Sequence, residues 1–509
     1  MIAQSGDRHV RREPSGRIKH QPTALATVAI EAQRDFISTT AGQQLLLMVV
    51  NLISRQFSVV GKIELNFPDT ELEDNISWPG VTSKRLRAAA EEMAHFVGGP
   101  EIVTVTNGHS GNSQVAVLIG SLNPVDYGVP AVAAVADGWR IAVSTLRSVP
   151  LVTQASSNPI GPFLTASIAA WYVFDVLCGE ARSIDVCMSA WNYSHGPWDS
   201  LEVGIDPCGI VLPDAYLIGA GAVGAAVVRT LTSTPHLCIR IVAIDSQVQS
   251  NTDRNRLISG GYDTVGKSKV ELVEAEIRPG FEIYPFQGRW PDDYVTSEGR
   301  DIPQDFRKFE VDYKFEWILS CVDRNRDRSA IANYLPRRVI GGSTDGLVAQ
   351  AVRYSMIGNC ECLKCNHPTP SSETLEDLTS LLSDPSVRQE WLSTHGADQR
   401  TAAAIAEYLN APECGELGEA ELVRLGREGE VDWSVGFVSV AAGVLQASLF
   451  IREALFEDGI VDSKKSEVRL IFHRTEFVES QALRRESCEV CGDSVALKTW
   501  KQLWSTTLD

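Results

Sequence analysis

The sequence predicts an α/β protein with a doubly wound, largely parallel sheet, and three observations along the chain predict this class. An apolar run ends in a G-x-G-x-x-G turn formed by Gly219, Gly221 and Gly224, and a helix-compatible run follows it. The next apolar run closes on Asp245, about 20 residues beyond the last glycine. A third apolar run, Trp317–Val322, ends directly before Asp323. Apolar strands that alternate with helices are typical of βαβ units.

The glycine turn predicts a site for phosphate groups. Glycine lets the backbone approach a phosphate, and the helix N-terminus supplies unpaired N–H groups and a positive dipole end. Taken alone, the turn also fits a nicotinamide-dependent oxidoreductase, or a tight strand-to-helix turn without a ligand. The residues after Asp245 favour a triphosphate, because they add donors and cations that a hydride-transfer site hardly needs: Asn251, Arg254, Arg256, Lys267 and Lys269. Asp323, at the C-terminal end of a strand, suits magnesium held between protein and phosphates.

The segment from about Val211 to Cys365 resembles the adenylation domain of ubiquitin-activating enzymes, which also occurs in the bacterial ThiF/MoeB-type activators of sulfur-carrier proteins. The family's glycine turn looks like the turn from Gly219 to Gly224, and its ribose-binding acid looks like Asp245. The resemblance therefore implies a Rossmann-like sheet that binds ATP and splits it between the α and β phosphates.

The resemblance also assigns roles to the polar residues that follow. The family's S-N-L-N-R-Q motif is similar to Ser250–Asn255, which implies phosphate contacts for Asn251 and Arg254. Its phosphate-binding lysine looks like Lys269, and its magnesium aspartate looks like Asp323. The chain departs from the family in one place, because Arg324 stands where an asparagine usually follows that aspartate.

Four of the eleven cysteines form two C-x-x-C pairs, Cys362 with Cys365 and Cys488 with Cys491. A C-x-x-C turn brings two thiolates to one tetrahedral metal ion, and two such pairs can close a structural zinc site. The resemblance implies zinc in this arrangement, although the gap between the pairs is long. The alternative is four ordinary cysteines without a metal.

Cys414 is the candidate for a thioester-forming nucleophile. It lies in a polar, glycine-rich stretch after the first C-x-x-C pair, and this stretch resembles the family's mobile crossover loop. Its neighbours Glu413 and Glu416 predict a raised thiol pKa. Cys360 is the reserve candidate, and Cys414 without any role is the alternative.

Composition and charge narrow the class of protein. Apolar residues make up 44% of the 509-residue chain, and no stretch reaches the ~20 uninterrupted apolar residues that span a bilayer. The N-terminus lacks an apolar signal core, so we expect a cytoplasmic protein without membrane contact. A net charge of −19 argues against a nucleic-acid partner and is compatible with basic protein partners.

Five segments follow from these patterns. We predict a mobile arm, an inactive adenylation-like α/β domain, an active adenylation domain, a helical insertion that carries the crossover loop, and a closing part of the active domain with the second zinc pair; their ranges are 1–31, 32–203, 204–366, 367–430 and 431–509. The family also implies an arginine from the partner domain that reaches ATP, for which Arg34 and Arg55 are candidates.

Taken together, the sequence predicts an enzyme that uses ATP, Mg²⁺ and Zn²⁺ to adenylate the C-terminus of a ubiquitin-like carrier protein. Cys414 would then accept the acyl group as a thioester for transfer to a conjugating enzyme, in a bacterial and possibly antiphage pathway. The two domains would be pseudo-dimeric within one chain, and a homodimer is open. The alternatives are an adenylating enzyme for a sulfur carrier or peptide that forms no thioester, the oxidoreductase, and a non-catalytic scaffold.

Overall fold

The computed structural model describes residues 25–99, 104–108, 111–296, 315–356, 360–365, 384–386, 435–456, 465–481 and 483–504. Cys414 and nearly all of the predicted insertion at 367–430 lie outside these residues, as do residues 1–24 of the predicted arm. Two sheets organise the described chain. We refer to residues 25–203 as the first half and residues 204–504 as the second half.

The first half contains a seven-stranded sheet in the order β3-β2-β1-β4-β5-β6-β7. The five neighbouring strands β3, β2, β1, β4 and β5 pair in parallel, whereas β6 pairs antiparallel with both β5 and β7. The strands are β1 Ala26–Ala32, β2 Val60–Asn66, β3 Thr104–Asn107, β4 Val115–Ile119, β5 Ala131–Asp137, β6 Arg140–Ser144 and β7 Asp185–Ser189. The helices are α1 Arg34–Ile37, α2 Thr40–Ser54, α3 Leu86–Gly98 and α4 Ile160–Leu177.

The second half repeats this order and adds one strand, giving β10-β9-β8-β11-β12-β13-β14-β15. Its strands are β8 Ala215–Ile218, β9 Ile239–Asp245, β10 Phe281–Gln287, β11 Trp317–Ser320, β12 Arg338–Asp345, β13 Val348–Tyr354, β14 Glu467–Ile471 and β15 Glu476–Ser480. Its helices are α5 Ala222–Thr232, α6 Lys269–Glu274, α7 Asp292–Thr296, α8 Asn325–Asn333, α9 Gly436–Leu455 and α10 Ser494–Trp504. Strands β10 to β12 in this order are parallel, and the remaining pairs are antiparallel. The mixed α/β class with parallel-rich sheets is therefore confirmed.

Strand β1 corrects one predicted boundary. It begins at Ala26, so residues 26–31 belong to the first sheet and not to the predicted arm at 1–31. The physical reason is that this short apolar run pairs on both sides, with β2 and with β4, and buries most of its side chains. The predicted division near residue 203 falls between β7 and β8 and thus between the two sheets.

Helices α4 and α9 are long and strongly apolar. By length and composition both could cross a membrane, but 89% and 78% of their apolar windows are buried inside the protein. The two helices contact each other, and they also pack against α2 and α5 respectively. Aromatic contacts join the halves here, with the Phe174 and Phe437 ring centroids 5.8 Å apart. Burial of this kind is that of core helices.

Candidate functional site

The glycine turn lies where β8 passes into α5, at the carboxyl edge of the second sheet. Gly219 has φ +95°, and a Cβ there would meet the Cys321 backbone oxygen at 2.8 Å. A Cβ on Gly224 would meet the Gly219 oxygen at 2.0 Å, so this glycine permits close packing of helix on strand. A Cβ on Gly221 would meet nothing within 4 Å. The turn therefore needs two glycines for its own geometry and leaves the third facing open space, as a nucleotide-binding turn does.

Helix α5 provides the anion-binding end of this turn. Its first backbone bond runs from the Ala225 N–H to the Gly221 oxygen, so the preceding N–H groups have no partner within the helix. Strands β9 and β11 lie on either side of β8, and the chain therefore leaves β8 at a topological switch point. Open parallel sheets bind ligands in the crevice at such points. The open space at Gly221 and these N–H groups fit the phosphates of a nucleotide.

Asp245 ends β9 beside this turn. Its two carboxylate oxygens accept the Ala220 N–H and the Gln247 N–H, each at 2.8 Å. Burial raises the pKa of Asp245, and Asp323 raises it further, whereas Lys269 and the two N–H groups lower it. The carboxylate is thus fixed against the turn, with Lys269 and Asp323 close enough to act on it. The predicted contact of Asp245 with a ribose stays a prediction.

Lys269 begins α6 and is 6% exposed. Its Nζ donates to the Gln247 side-chain oxygen at 2.7 Å and lies 3.8 Å from a carboxylate oxygen of Asp253. Asp253 in turn accepts the Ser250 N–H at 2.8 Å. Burial opposes ionisation of Asp253, but Arg256, Lys269 and the Ser250 bonds together lower the pKa of this carboxyl. The Lys269 side chain is therefore held between Gln247 and Asp253, near the Asp245 end of β9.

Asp323 follows β11 and is exposed beside the turn. Strand β11 pairs in parallel with β8, with Ser320 opposite Ile218, which places the residues after both strands at one edge. The structure thus brings together the glycine turn, Asp245, Lys269 and Asp323. An exposed carboxylate at the end of a strand and beside a glycine turn is a suitable magnesium ligand, and the predicted magnesium role of Asp323 stays a prediction.

Arg254 does not join this group. It is 4% exposed, and its Nη2 donates to the backbone oxygens of Val97 and Gly98, at 3.2 and 2.8 Å. Its guanidinium also lies over the rings of Phe57 and Tyr262. The predicted phosphate contact would require the Arg254 side chain to give up its hydrogen bonds to Val97 and Gly98 of the first half. The local sequence could not show that these carbonyls compete with a phosphate for the guanidinium.

The remaining predicted donors are dispersed. Asn251 is exposed at the start of the 3-10 turn Asn251–Asn255. Of the two arginines of the first half that were candidates for ATP binding, Arg34 is exposed on α1, and Arg55 is buried against second-half carbonyls. Neither position confirms a contact with ATP.

The four C-x-x-C cysteines come together in the second half, where their Sγ atoms all lie within 4.8 Å of one another. The Sγ atoms of Cys362 and Cys488 are 3.6 Å apart, and those of Cys365 and Cys491 are 3.2 Å apart. Four thiolates about 2.3 Å from one Zn²⁺ would be roughly 3.8 Å apart, so this donor set fits tetrahedral zinc. Hydrogen bonds among these thiols lower the pKa of Cys365 and raise that of Cys362.

Among the described cysteines outside this set, all are buried or half-buried. Cys360 is 6% exposed and forms a bridge with Leu483. Cys321 lies beside the glycine turn, where burial raises its pKa to about 12 and its Sγ contacts the Gln446 side-chain oxygen at 3.2 Å. Cys360 lacks the exposure of a nucleophilic thiol, and Cys321 lacks the lowered pKa of one.

Two site residues were missed by sequence reasoning. Asp253 joins the Ser250 N–H to Lys269, and the spacing of Ser250 and Asp253 is a helix-start signal that could have indicated it. The side-chain oxygen of Gln247 accepts a hydrogen bond from Lys269, and no sequence pattern points to Gln247.

Several known proteins are similar to parts of this chain in sequence or structure. Residues 27–190 match the family model of the BilD N-terminal domain. A Sinorhizobium fredii protein described as the uncharacterized protein y4jF is 22% identical over 357 residues, which are 69% of this chain and 62% of that protein. The chain thus spans less than two thirds of the length of this curated relative.

Solved structures of Escherichia coli MccB with ATP and with succinimide are also similar. Each has 15% identity and a TM-score of 0.35, over 55% of this chain and 66% of MccB. The microcin C7 biosynthetic enzyme MccB in complex with N-formylated MccA gives the same identity and TM-score, over 55% of this chain and 67% of that one.

Proposed function

We propose that this chain is an ATP-dependent adenylating enzyme that acts on the C-terminal carboxylate of a ubiquitin-like protein. One observation carries the proposal: Lys269, Asp245 and Asp323 converge on the open glycine turn at the switch point of the second sheet. A hydride-transfer site has little use for a buried lysine and an exposed carboxylate beside the phosphate-binding turn. A site that expels pyrophosphate needs both charges.

Each residue has a distinct task in this reaction. The turn at Gly221 and the N-terminus of α5 would hold phosphate oxygens through backbone N–H groups, and Lys269 would offset their negative charge. Asp245 would orient the ribose, and Asp323 would hold Mg²⁺, which supplies further charge neutralisation when bound. The carrier's carboxylate then attacks the α-phosphorus and pyrophosphate leaves. Holding the reactants in line accounts for much of the rate gain in such a site.

The choice of a ubiquitin-like substrate rests on the motif resemblance of the second half. In the same reading, Cys414 would accept the acyl group as a thioester, and a conjugating enzyme would receive it in a bacterial, possibly antiphage, pathway. Because every described cysteine outside the zinc set is buried or half-buried, the thioester step depends on Cys414.

A second candidate is an enzyme that adenylates a peptide or sulfur carrier and stops at the adenylate. No described thiol beside the glycine turn is exposed. Cys321 lies there with its Sγ 3.2 Å from the Gln446 side-chain oxygen and with a pKa raised by burial, and this favours the alternative. The two candidates differ in one product, a reductant-sensitive adduct between enzyme and carrier. Cys414→Ala should abolish that adduct and leave pyrophosphate exchange intact if the thioester is formed.

The test of adenylation is ATP–pyrophosphate exchange with candidate carriers that end in glycine. We expect carrier-dependent exchange by the native chain, and a loss on the order of 10²–10³-fold for Lys269→Ala and for Asp323→Asn, because each removes transition-state charge stabilisation. Lys84→Ala is the control, since Lys84 is an exposed lysine of the first half and lies outside the proposed site.

Exchange that survives Lys269→Ala and Asp323→Asn undiminished would remove both residues from the site. Absence of exchange with every carrier, together with absence of ATP binding, would contradict the proposed function. Nicotinamide binding by the native chain would favour the oxidoreductase instead.

A further inference from the structure

Arg55 connects the two halves next to the candidate site. It follows helix α2 in the first half, is 1% exposed, and its Nε donates to the Asn51 side-chain oxygen at 2.8 Å. Its terminal nitrogens donate to three backbone oxygens of the second half. Nη1 donates to the Arg254 backbone oxygen at 2.7 Å, and Nη2 donates to the backbone oxygens of Ile258 at 3.0 Å and Gly260 at 3.1 Å. The planar guanidinium thus fixes three carbonyls of one seven-residue stretch.

Arg254 crosses the same interface in the opposite direction. While its backbone oxygen accepts from Arg55, its side chain donates to Val97 and Gly98 at the end of α3. The first half and the stretch 254–260 are therefore joined through two reciprocal arginines. Each guanidinium bonds to neutral backbone oxygens, so the contact is directional and depends on where those carbonyls stand.

The burial of Arg55 is costly, which indicates that its position matters. Burial and the neighbouring Arg254 lower the pKa of Arg55 to about 9. Among the described residues, the hydrogen bonds of Arg55 all go to neutral oxygens. A buried cation without a charged partner retains its desolvation cost, so an apolar side chain would cost less if the pocket only needed filling.

A short chain of bonds leads from this stretch to Lys269. Next to Gly260, the Gly261 oxygen accepts the side-chain amide of Gln249 at 3.1 Å. The Gln249 N–H donates to the Lys267 oxygen at 2.8 Å, and the Gly266 N–H donates to the Gln249 oxygen at 2.9 Å. The backbone that leads into α6, and with it Lys269, is therefore positioned by the stretch that Arg55 holds.

We propose that Arg55 is a positioning residue: from the first half it holds the 254–260 backbone, and through Gln249 it sets the place of Lys269 at the phosphate edge of the second sheet. This inference rests on the proposed function. It differs from the role suggested by the sequence resemblance, in which a first-half arginine itself reaches ATP. Here Arg55 bonds to the protein backbone instead, and the first half thereby positions the backbone of the second half.

The first experiment compares Arg55→Gln with Gln44→Leu. Gln44 lies on the same helix α2 and also donates across the interface, but to the Ser233 oxygen at 3.0 Å, at the far end of α5. The assay is run at a temperature where circular dichroism shows both variants to be folded. We expect the rate of ATP–pyrophosphate exchange to fall about 10-fold or more for Arg55→Gln, because a small displacement of a catalytic cation lowers the reaction rate strongly. We expect Gln44→Leu to keep native kinetics.

A double-mutant cycle separates positioning from general stability. If Arg55 acts through Lys269, Arg55→Gln should change the residual exchange of the Lys269→Ala variant by less than about 2-fold. An equal loss in both backgrounds would overturn the route through Lys269, and native exchange by Arg55→Gln would overturn the inference altogether. If Arg55→Gln does not fold, Arg55→Lys serves in its place, since one ammonium cannot reproduce the fork across three carbonyls.

Amide hydrogen exchange keeps the inference testable even if the native chain shows no pyrophosphate exchange. In that case the proposed function fails, and the protection of amides in 247–269 decides the positioning role. Faster hydrogen exchange of these amides in Arg55→Gln but not in Gln44→Leu supports the positioning role of Arg55. Unchanged protection in both variants contradicts it.

Discussion

The two halves share one strand order, but different side chains occupy the edge where their parallel strands end. In the second half, Gly219 follows β8 and packs against the backbone of Cys321, which follows β11. The crevice beside them is open at Gly221. In the first half, Gln33 stands in the matching place between β1 and β4, and its side-chain oxygen accepts the Ser121 N–H at 2.9 Å. A Cβ on Gly120 would meet the Gln33 side chain at 2.7 Å, so this crevice is filled.

The acids differ in the same way. Strand β9 ends in Asp245, which is bonded to the glycine turn, whereas β2 ends in the exposed Asn66, whose amide donates to Glu31 at 2.9 Å. The first half therefore keeps the architecture and replaces the charged, open edge with side-chain hydrogen bonds. The difference teaches that the sheet supplies only the location of a site, and that the residues after the strands decide whether a ligand has room and charge there.

The largest expected effect comes from the four-cysteine cluster of Cys362, Cys365, Cys488 and Cys491, which has no counterpart among the described residues of the first half. We expect one zinc per chain by metal analysis. Structural zinc contributes up to roughly 10–16 kcal/mol of apparent binding free energy, so Cys491→Ser should lower the Tm strongly and release the C-terminal helix α10. That helix is held by Trp500, whose indole N–H donates to the Pro336 oxygen at 3.0 Å.

Cys187→Ser is the matched control, because Cys187 is a half-buried cysteine on β7 of the first half. It should keep the metal content and most of the Tm. A correctly folded, metal-free native protein would remove the zinc site.

The next effect tests whether the open crevice distinguishes the halves. Gly221→Val should fold with a Tm close to native, because nothing lies within 4 Å of its Cβ, but it should weaken ATP binding by at least about 10-fold by occupying the phosphate space. Gly224→Ala should instead destabilise the fold by about 1–3 kcal/mol, because its Cβ would lie 2.0 Å from the Gly219 oxygen. Thermal unfolding and equilibrium dialysis with labelled ATP measure the two quantities.

Gln33→Ala completes this comparison by opening the first-half crevice. We expect one ATP per chain to bind before and after this change, since Asn66 stands where the second half has Asp245. A second bound ATP in Gln33→Ala would show that space alone makes the site.

The smallest expected effect concerns two carboxylates that accept backbone N–H groups. The pKa of Asp253 is lowered against its burial by Arg256, Lys269 and Ser250, and the pKa of Glu92 is lowered against its burial by the N–H groups of Thr82 and Ser83. A carboxyl with a lowered folded pKa stabilises the protein above its unfolded pKa, and this contribution is lost as the pH falls through the folded value.

Asp253→Asn should therefore cost about 1–3 kcal/mol of unfolding free energy near pH 7, and the difference from native should shrink towards pH 3. Glu92→Gln, on the first half, should show the same sign with a smaller size, because this carboxyl is more exposed. Only Asp253→Asn should also weaken ATP binding, since Asp253 lies 3.8 Å from Lys269. Chemical denaturation at several pH values measures the first effect, and a pH-independent cost would contradict the assigned cause.

Much of the site could be predicted from residue order. The turn from Gly219 to Gly224, Asp245, Lys269 and Asp323 each follow a local pattern, and parallel strands bring their carboxyl ends to one edge whatever else surrounds them. The buried set of Cys362, Cys365, Cys488 and Cys491 was predictable from its two C-x-x-C pairs for a similar reason. The early start of β1 was not, because an apolar run this short is helix, strand or arm until its neighbours are known.

The sequence by itself determined the class of fold, the position of the glycine turn and the identity of the four clustered thiols, since each depends on spacing within a few residues. Only the tertiary structure decided where the buried arginines point. Arg254 and Arg55 could each reach a phosphate or a carbonyl, and the choice depends on backbone oxygens about 150 to 200 residues away in the chain. A long, buried cation takes whichever acceptors packing brings within reach, and no local pattern encodes that distance.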